Sequence, residues 1–320
     1  MSPLRAGARA GLLALVAWSL AGCGGPPPSP ASVSAASPDG YITAEEAVGW
    51  EEFPADAVLS YGPDDRQVAE LRTPDGDGSH PVAVILHGGC WTSRADQGYM
   101  DAVAVALTEA GWATWNLEFR SIDEEGGAWP GIFRDVGAGI DHLREVADLH
   151  RLDLDRVAAV GHSSGGHLAL WAAARHRIPS GSVLHTPDPL RLRAVVGLAA
   201  MADLEHYHAL GIDWDDGCGD AATQLLGWVP PPDAPERVAQ ASPSALPPSG
   251  VPQLLLTGAD DRAVPPTIGE TYAAQARAAG AEVEHHIVDR AAHFELVAPW
   301  TGAWATVWRL VEPFLQEVRR

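Results

Sequence analysis

The chain is short of positive charge. Its 320 residues carry 21 Lys and Arg against 42 Asp and Glu, a formal net charge of −21. A surface that acidic repels phosphate backbones, which argues against nucleic acid as a partner and disfavours polyanionic substrates. Cysteine is scarce, with three in all, too few for a small disulfide-stapled scaffold. Apolar runs are short as well. The first one, Gly11 to Leu20, falls below the roughly 20 residues that cross a bilayer comfortably. No internal repeat is visible, and no stretch suits a propeller domain.

What is present suits a large α/β protein. A chain of 320 residues with 46% hydrophobic content builds one large domain or two small ones. Twelve tryptophans are many; they suit an apolar cleft and equally an ordinary core.

Residues 1–22 read as a leader, not as fold. Arg5 and Arg9 form its positive end, the apolar run follows, and it closes at Leu20-Ala21-Gly22-Cys23. That ending resembles the lipobox of bacterial lipoproteins, which implies cleavage before Cys23, a diacylglycerol on its thiol, and an exported, membrane-anchored protein on the periplasmic or cell-surface side. A plain secretory signal is the alternative. Residues 23–45 read as the anchor cysteine and a Pro/Ser-rich tether, and residues 46–320 as the folded domain.

Within that domain, apolar runs alternate with helical periodicity. Val68–Thr73, Pro81–Leu86, Trp112–Phe119, Val157–Gly161, Leu192–Ala200, Val251–Thr257 and Val283–Val288 read as strands. Residues 101–110, 132–146, 164–176, 268–279 and 299–318 read as helices. The alternation argues for a mostly parallel central sheet with helices on both faces. Residues from about 203 to 248 break it and are too long for a plain loop. They read as a small lid insertion with short helices at 204–210 and 221–228.

The chemistry centres on Gly161-His162-Ser163-Ser164-Gly165. This is G-x-S-x-G between a strand and a helix, the setting that lifts the serine hydroxyl out of a sharp turn. A serine needs a base to take its proton, and the base needs a carboxylate to fix its tautomer. His293 follows the 283–288 strand, and Asp260 and Asp261 both follow the 251–257 strand. The order Ser, Asp, His is that of the α/β hydrolases. The negative oxygen of a tetrahedral intermediate needs fixed N–H donors. Ser164, at a helix start, supplies one, and the loop His87-Gly88-Gly89-Cys90-Trp91 supplies others. Two-residue spacing in His206/His208 and adjacency in His285/His286 are weak metal signals, so neither a metal nor a cofactor is expected.

His87-Gly88-Gly89 with Trp91, Glu118-Phe119-Arg120, Trp129-Pro130, Asp135 and the 161–170 stretch together resemble the BD-FAE/kynurenine-formamidase-like branch of α/β-hydrolase esterases. The resemblance implies an α/β-hydrolase fold, Asp261 as the acid three residues after Gly258, and the amides of Gly89 and Cys90 as oxyanion donors. It implies hydrolysis of short-chain or aryl carboxylic esters, sometimes of N-formyl amides. Phe119 where the family usually has Tyr, and Cys90 where it often has a bulkier residue, bear on substrate preference. An amidase, arylformamidase or peptidase on the same triad is the nearest rival; an idle surface-binding lipoprotein that keeps the fold is the other. With Cys23 lipidated, Cys90 and Cys218 are left either to pair, pinning the lid to the oxyanion loop, or to stay free thiols.

Overall fold

A strand buried on both faces must be apolar from end to end, and the middle of this chain supplies several such strands. The computed structural model describes residues 40–48, 54–212 and 218–319, all within the unit Ala35–Arg320. The leader, Cys23 and most of the tether lie outside the described residues, as do residues 213–217 of the expected lid.

Eight strands make one sheet: β1 (Ala57–Ser60), β2 (Val68–Arg72), β3 (His80–Leu86), β4 (Ala113–Leu117), β5 (Leu152–His162), β6 (Ala194–Leu198), β7 (Gln253–Gly258) and β8 (Val283–Val288). Their spatial order is β1-β2-β4-β3-β5-β6-β7-β8. β1 and β2 run antiparallel at one edge, and every pair from β4 to β8 is parallel. All residues of β4, β6 and β7 are buried, whereas β1 and β8 at the edges alternate or expose their middles. This is the α/β-hydrolase fold. The helices are α1 (Ala44–Val48), α2 (Asp101–Glu109), α3 (Gly131–Asp141), α4 (Leu143–His150), α5 (Ser164–Ala174), α6 (Leu204–Ala209), α7 (Ala221–Leu225), α8 (Pro235–Ala241), α9 (Pro266–Ala278) and α10 (Trp304–Val318).

Four differences from the sequence reading have physical reasons. The amphipathic stretch 132–146 is two helices, α3 and α4, broken at His142; the apolar stripe runs on through the break, so periodicity does not mark it. In the 203–248 insertion, α7 stops at Leu225 because Gly227 and Trp228 both turn left-handed, with φ of 74° and 63°. The same region holds α8, which the Pro-rich composition hid, although Pro235 at its start is where a helix tolerates proline best. Residues 41–45, read as tether, are bonded to the folded domain: Tyr41 donates to Asp260 and the Ile42 amide to Glu295.

The sheet register builds the site. Leu86 at the end of β3 pairs with Gly161 of β5. His87-Gly88 and His162-Ser163 therefore leave the sheet side by side, at the carboxyl edge where open α/β sheets carry their ligands.

Candidate active site

Ser163 sits where strand meets helix, with φ 55° and ψ −120°, a conformation that a non-glycine residue holds only under constraint. The constraint is visible. Its N–H donates to the Leu198 carbonyl at 2.8 Å, and its carbonyl accepts from His167 at 3.1 Å and Met201 at 3.3 Å. Strand and helix also touch at the elbow. A Cβ added to Gly161 would collide with the Gly165 carbonyl, and one on Gly165 with the carbonyls of Leu86 and His87. Ser163 is 3% exposed.

Asp261 and His293 meet, though 32 residues separate them. His293 Nδ1 lies 2.8 Å from Asp261 Oδ2, so the ring N–H at Nδ1 donates to the carboxylate. The other oxygen, Oδ1, accepts the amides of Ala263 and Val264 at 2.9 and 2.8 Å. That double anchor belongs to Asp261. Asp260, the other candidate, instead accepts the Tyr41 hydroxyl. His293 is itself 5% exposed.

His162, flanking the nucleophile, is buried among these groups. Its Nε2–H donates to the His293 carbonyl at 3.0 Å, which leaves Nδ1 to accept the Tyr99 hydroxyl at 2.7 Å. The two imidazoles lie 4.5 Å apart, centroid to centroid. Burial, then the neighbouring His293, holds His162 well below the usual histidine value. Burial pushes the Tyr99 hydroxyl up, with Asp261's charge adding to it. His162 is thus a neutral strut between Tyr99 and the base loop.

The His87–Trp91 loop turns through three left-handed residues, Gly89 (φ 105°), Cys90 (φ 56°) and Trp91 (φ 60°). Two of these are not glycine, so the loop is held rather than free. A Cβ on Gly88 would lie 3.2 Å from the Ser163 Cβ, which brings the loop against the elbow. The Trp91 amide donates to Ser164 Oγ at 3.3 Å. Among the described residues the amides of Gly89, Cys90 and Ser164 donate to no protein acceptor. Cys90 is joined to Cys218 by a disulfide, with Cα atoms 5.6 Å apart. Below the loop, His87 stacks on Phe119 at 4.3 Å and meets the buried Glu118 carboxylate at 3.3 Å. Burial alone would raise the Glu118 carboxyl; hydrogen bonds from His87 and the Phe119 amide, with Arg66 beside it, bring it below its usual value.

Other motif residues act as braces. Asp135 takes a two-point contact from Arg120 at 2.7 Å and a bond from Gln67 at 2.8 Å.

The BD-FAE family profile matches residues 71–275, well over half of the chain's 320 residues. The chain belongs to the BD-FAE family. The family match spans Ser163 and Asp261 and stops before β8 and His293. Among curated proteins it is similar to esterase LipC of Mycobacterium tuberculosis, at 32% identity over 128 residues. That alignment covers 39% of this chain and 31% of LipC, so the chain spans about a third of the relative's length. Among solved structures, a truncated carbohydrate esterase from gut microbiota superposes with a TM-score of 0.69 at 21% identity, over 82% of this chain and 94% of the other. The Est2 esterase of Thermogutta terrifontis gives 0.66 at 21%, over 83% and 95%. Both likenesses are of fold.

Sequence reasoning missed Tyr99, Gln97, Glu295 and the 40–48 segment. The Gln97 amide donates to Glu118 Oε2 at 3.0 Å, and Glu295 takes amides from both Ile42 and Ala292. None sits in a motif. Only an acidic residue two positions after His293 offered a signal, and it is a weak one.

Proposed function

We propose that this BD-FAE family member hydrolyses carboxylic esters, of short-chain or aryl type, by acyl transfer through Ser163. The single observation that carries the reading is the 2.8 Å His293–Asp261 contact at the carboxyl edge of the sheet that also bears the strained Ser163 elbow. The Ser163 hydroxyl attacks the ester carbonyl while His293 Nε2 takes its proton. Negative charge builds on the carbonyl oxygen, and the amides of Gly89, Cys90 and Ser164 are the donors for it, with the α5 dipole behind Ser164. His293 then hands the proton to the departing alkoxide, leaving an acyl-serine. A water molecule, deprotonated by the same imidazole, cleaves the acyl-enzyme and restores Ser163. Asp261 fixes the tautomer throughout. The balance closes without a metal or a cofactor.

Ser163→Ala is expected to abolish p-nitrophenyl acetate hydrolysis and fluorophosphonate labelling while the unfolding transition stays cooperative. Equal activity in the mutant sinks the assignment. A panel of aryl, acetyl-sugar and feruloyl esters with matched amides separates esterase from amidase turnover. The Cys23 anchor belongs to the same reading: we propose export and lipid attachment there on the strength of the Leu20–Cys23 pattern, and mass spectrometry of the protein from membranes checks it.

A further inference from the structure

The ring of His293 is fixed by Asp261 and its carbonyl by His162. The amide just before it, Ala292 N–H, is fixed by Glu295 Oε2 at 2.9 Å. Glu295 is buried, and its second oxygen, Oε1, accepts the Ile42 amide at 2.6 Å. One residue earlier, the Tyr41 hydroxyl donates to Asp260 Oδ2, and the Asp260 amide donates to the Ala291 carbonyl at 3.0 Å. Tyr41 and Ile42 therefore grip the acid turn and the base loop at once, across 219 and 253 residues of chain. The segment is shaped for this. Thr43 and Glu46 bond reciprocally, the Thr43 amide to Glu46 Oε2 at 2.8 Å and the Glu46 amide to Thr43 Oγ1 at 3.2 Å, a capping box that starts α1. Helix α1 packs on the Gln97–Met100 turn, which carries Tyr99, and on the Phe294–Val297 turn that follows His293.

We infer that residues 40–48 form a strap that belongs to the acyl-transfer site, with Tyr41, Ile42 and Glu295 as positioning residues for the Asp261–His293 pair. The inference rests on the esterase reading above. Its physical basis is the steepness of acyl transfer with geometry: a base displaced by about 1 Å loses up to about a hundredfold in rate. A buried carboxylate that shares its two oxygens between the strap and the base loop transmits any slackening of the first to the second. The strap contributes no group to the chemistry; it sets where His293 Nε2 stands relative to Ser163.

The test uses the full chain. Ile42→Pro removes the N–H that Glu295 accepts and nothing else from the backbone donors. Tyr41→Phe removes the bond to Asp260 and keeps the ring. Glu295→Gln puts an amide NH2 against one of the two N–H groups. For each, kcat and KM on p-nitrophenyl acetate and the rate of fluorophosphonate labelling are read beside the unfolding midpoint. The expected result is a fall in kcat and labelling rate of about tenfold or more, with KM unchanged. Ile42→Pro adds little in the Glu295→Gln background, because both act through one carboxylate. Should Ile42→Pro fail to fold, Tyr41→Phe carries the same readout. Wild-type kcat and labelling in the folded variants overturn the inference, as does a loss confined to KM, which makes the strap a substrate wall. A wild-type protein that neither labels nor turns over esters overturns the esterase reading and this inference with it.

Discussion

Two halves of the candidate site are held by different means. Ser163 and the His87–Trp91 loop are fixed by the sheet: β3 and β5 pair in register up to Leu86 and Gly161, and the next residues have nowhere else to go. Asp261 and His293 leave β7 and β8, the outer end of the same sheet. They are held by side chains: Tyr41 and His162 from distant segments, and Glu295 from beside His293, which reaches out to Ile42. The 203–248 insertion resembles the second half. Helix α8 hangs on α5 by two bonds, His167 to the Ala241 carbonyl and Trp171 to the Gln240 carbonyl, each at 3.0 Å. A site anchored in a ladder tolerates loss of any one side-chain contact; a site anchored by single side chains does not.

The sharpest probe of that contrast is the acid. Asp261→Asn leaves the backbone anchors able to hold one oxygen but turns the imidazole to the wrong tautomer, and kcat is expected to fall about 10⁴-fold. Asp260→Asn keeps an acceptor for Tyr41 and is expected to cost far less. If the two variants lose activity equally under steady-state assay, the side-chain anchoring of this half has been misjudged.

A disulfide ties the first half to the 203–248 insertion, running from Cys90 in the His87–Trp91 loop to Cys218. It closes a separation of 128 residues. Replacing both partners, Cys90→Ala with Cys218→Ala, is expected to lower unfolding free energy by about 2–5 kcal/mol. Denaturant midpoints of the oxidised wild type and the double variant measure it. Activity should fall as well, because Cys90 is left-handed at φ 56° and loses the bond that helps hold it there.

The same division governs what the sequence discloses. Gly161-His162-Ser163-Ser164-Gly165 and the His87–Trp91 loop are readable because one ladder imposes local composition: small residues where strand meets helix, apolar runs before them. The parallel sheet is legible for the same reason, since strands buried on both faces leave no polar positions. Four-residue β1 is too short to show a pattern, and α8 hides behind prolines. Tyr41, Tyr99 and Glu295 carry no signature, because their partners lie from 63 to 253 residues away and any tyrosine or glutamate of the right reach would serve. His162 is the intermediate case. The motif fixes its place beside Ser163, but its partners, Tyr99 and the His293 carbonyl, come from distant segments.

Acid should loosen both halves. Burial holds His162 well below its usual value and His167 down at about 3. In the unfolded chain both titrate near 6.5. Between those limits the unfolded state binds more protons, so stability falls as pH drops below about 6.5, by at most ~1.4 kcal/mol per pH unit for each ring. Asp101 works the other way. Burial raises it to about 6, against Arg72's pull, so the folded state takes up its proton first and gains on acidification. Burial also lowers His176, to about 4, and His285, and four rings against one carboxyl leave a net loss. Urea midpoints at pH 7, 6 and 5 should decline, and His167→Gln should flatten the decline by restoring an uncharged donor to the Ala241 carbonyl. A flat wild-type profile would mean that protons reach these rings in the folded state.

The smallest effect belongs to the 203–248 insertion. Tyr207, on α6, is buried, and its hydroxyl has no hydrogen-bond partner among the described residues. Burial and then the Asp261 charge push it up to about 12. Strand order puts β6, which leads into α6, between β5 with Ser163 and β7 with Asp261. A buried hydroxyl without a partner costs stability, on the order of 1–3 kcal/mol when fully dry. Tyr207→Phe is therefore expected to leave the unfolding midpoint unchanged or raise it by the equivalent of up to ~1 kcal/mol. This reverses the sign of the usual loss at a buried polar contact, and it separates the 203–248 insertion from the acid turn and base loop, where Asp260, Asp261 and Glu295 each have a partner to lose. A clear drop in midpoint would show that the insertion, like the strap, is held by a bond at this oxygen, and the contrast between the two segments would fail.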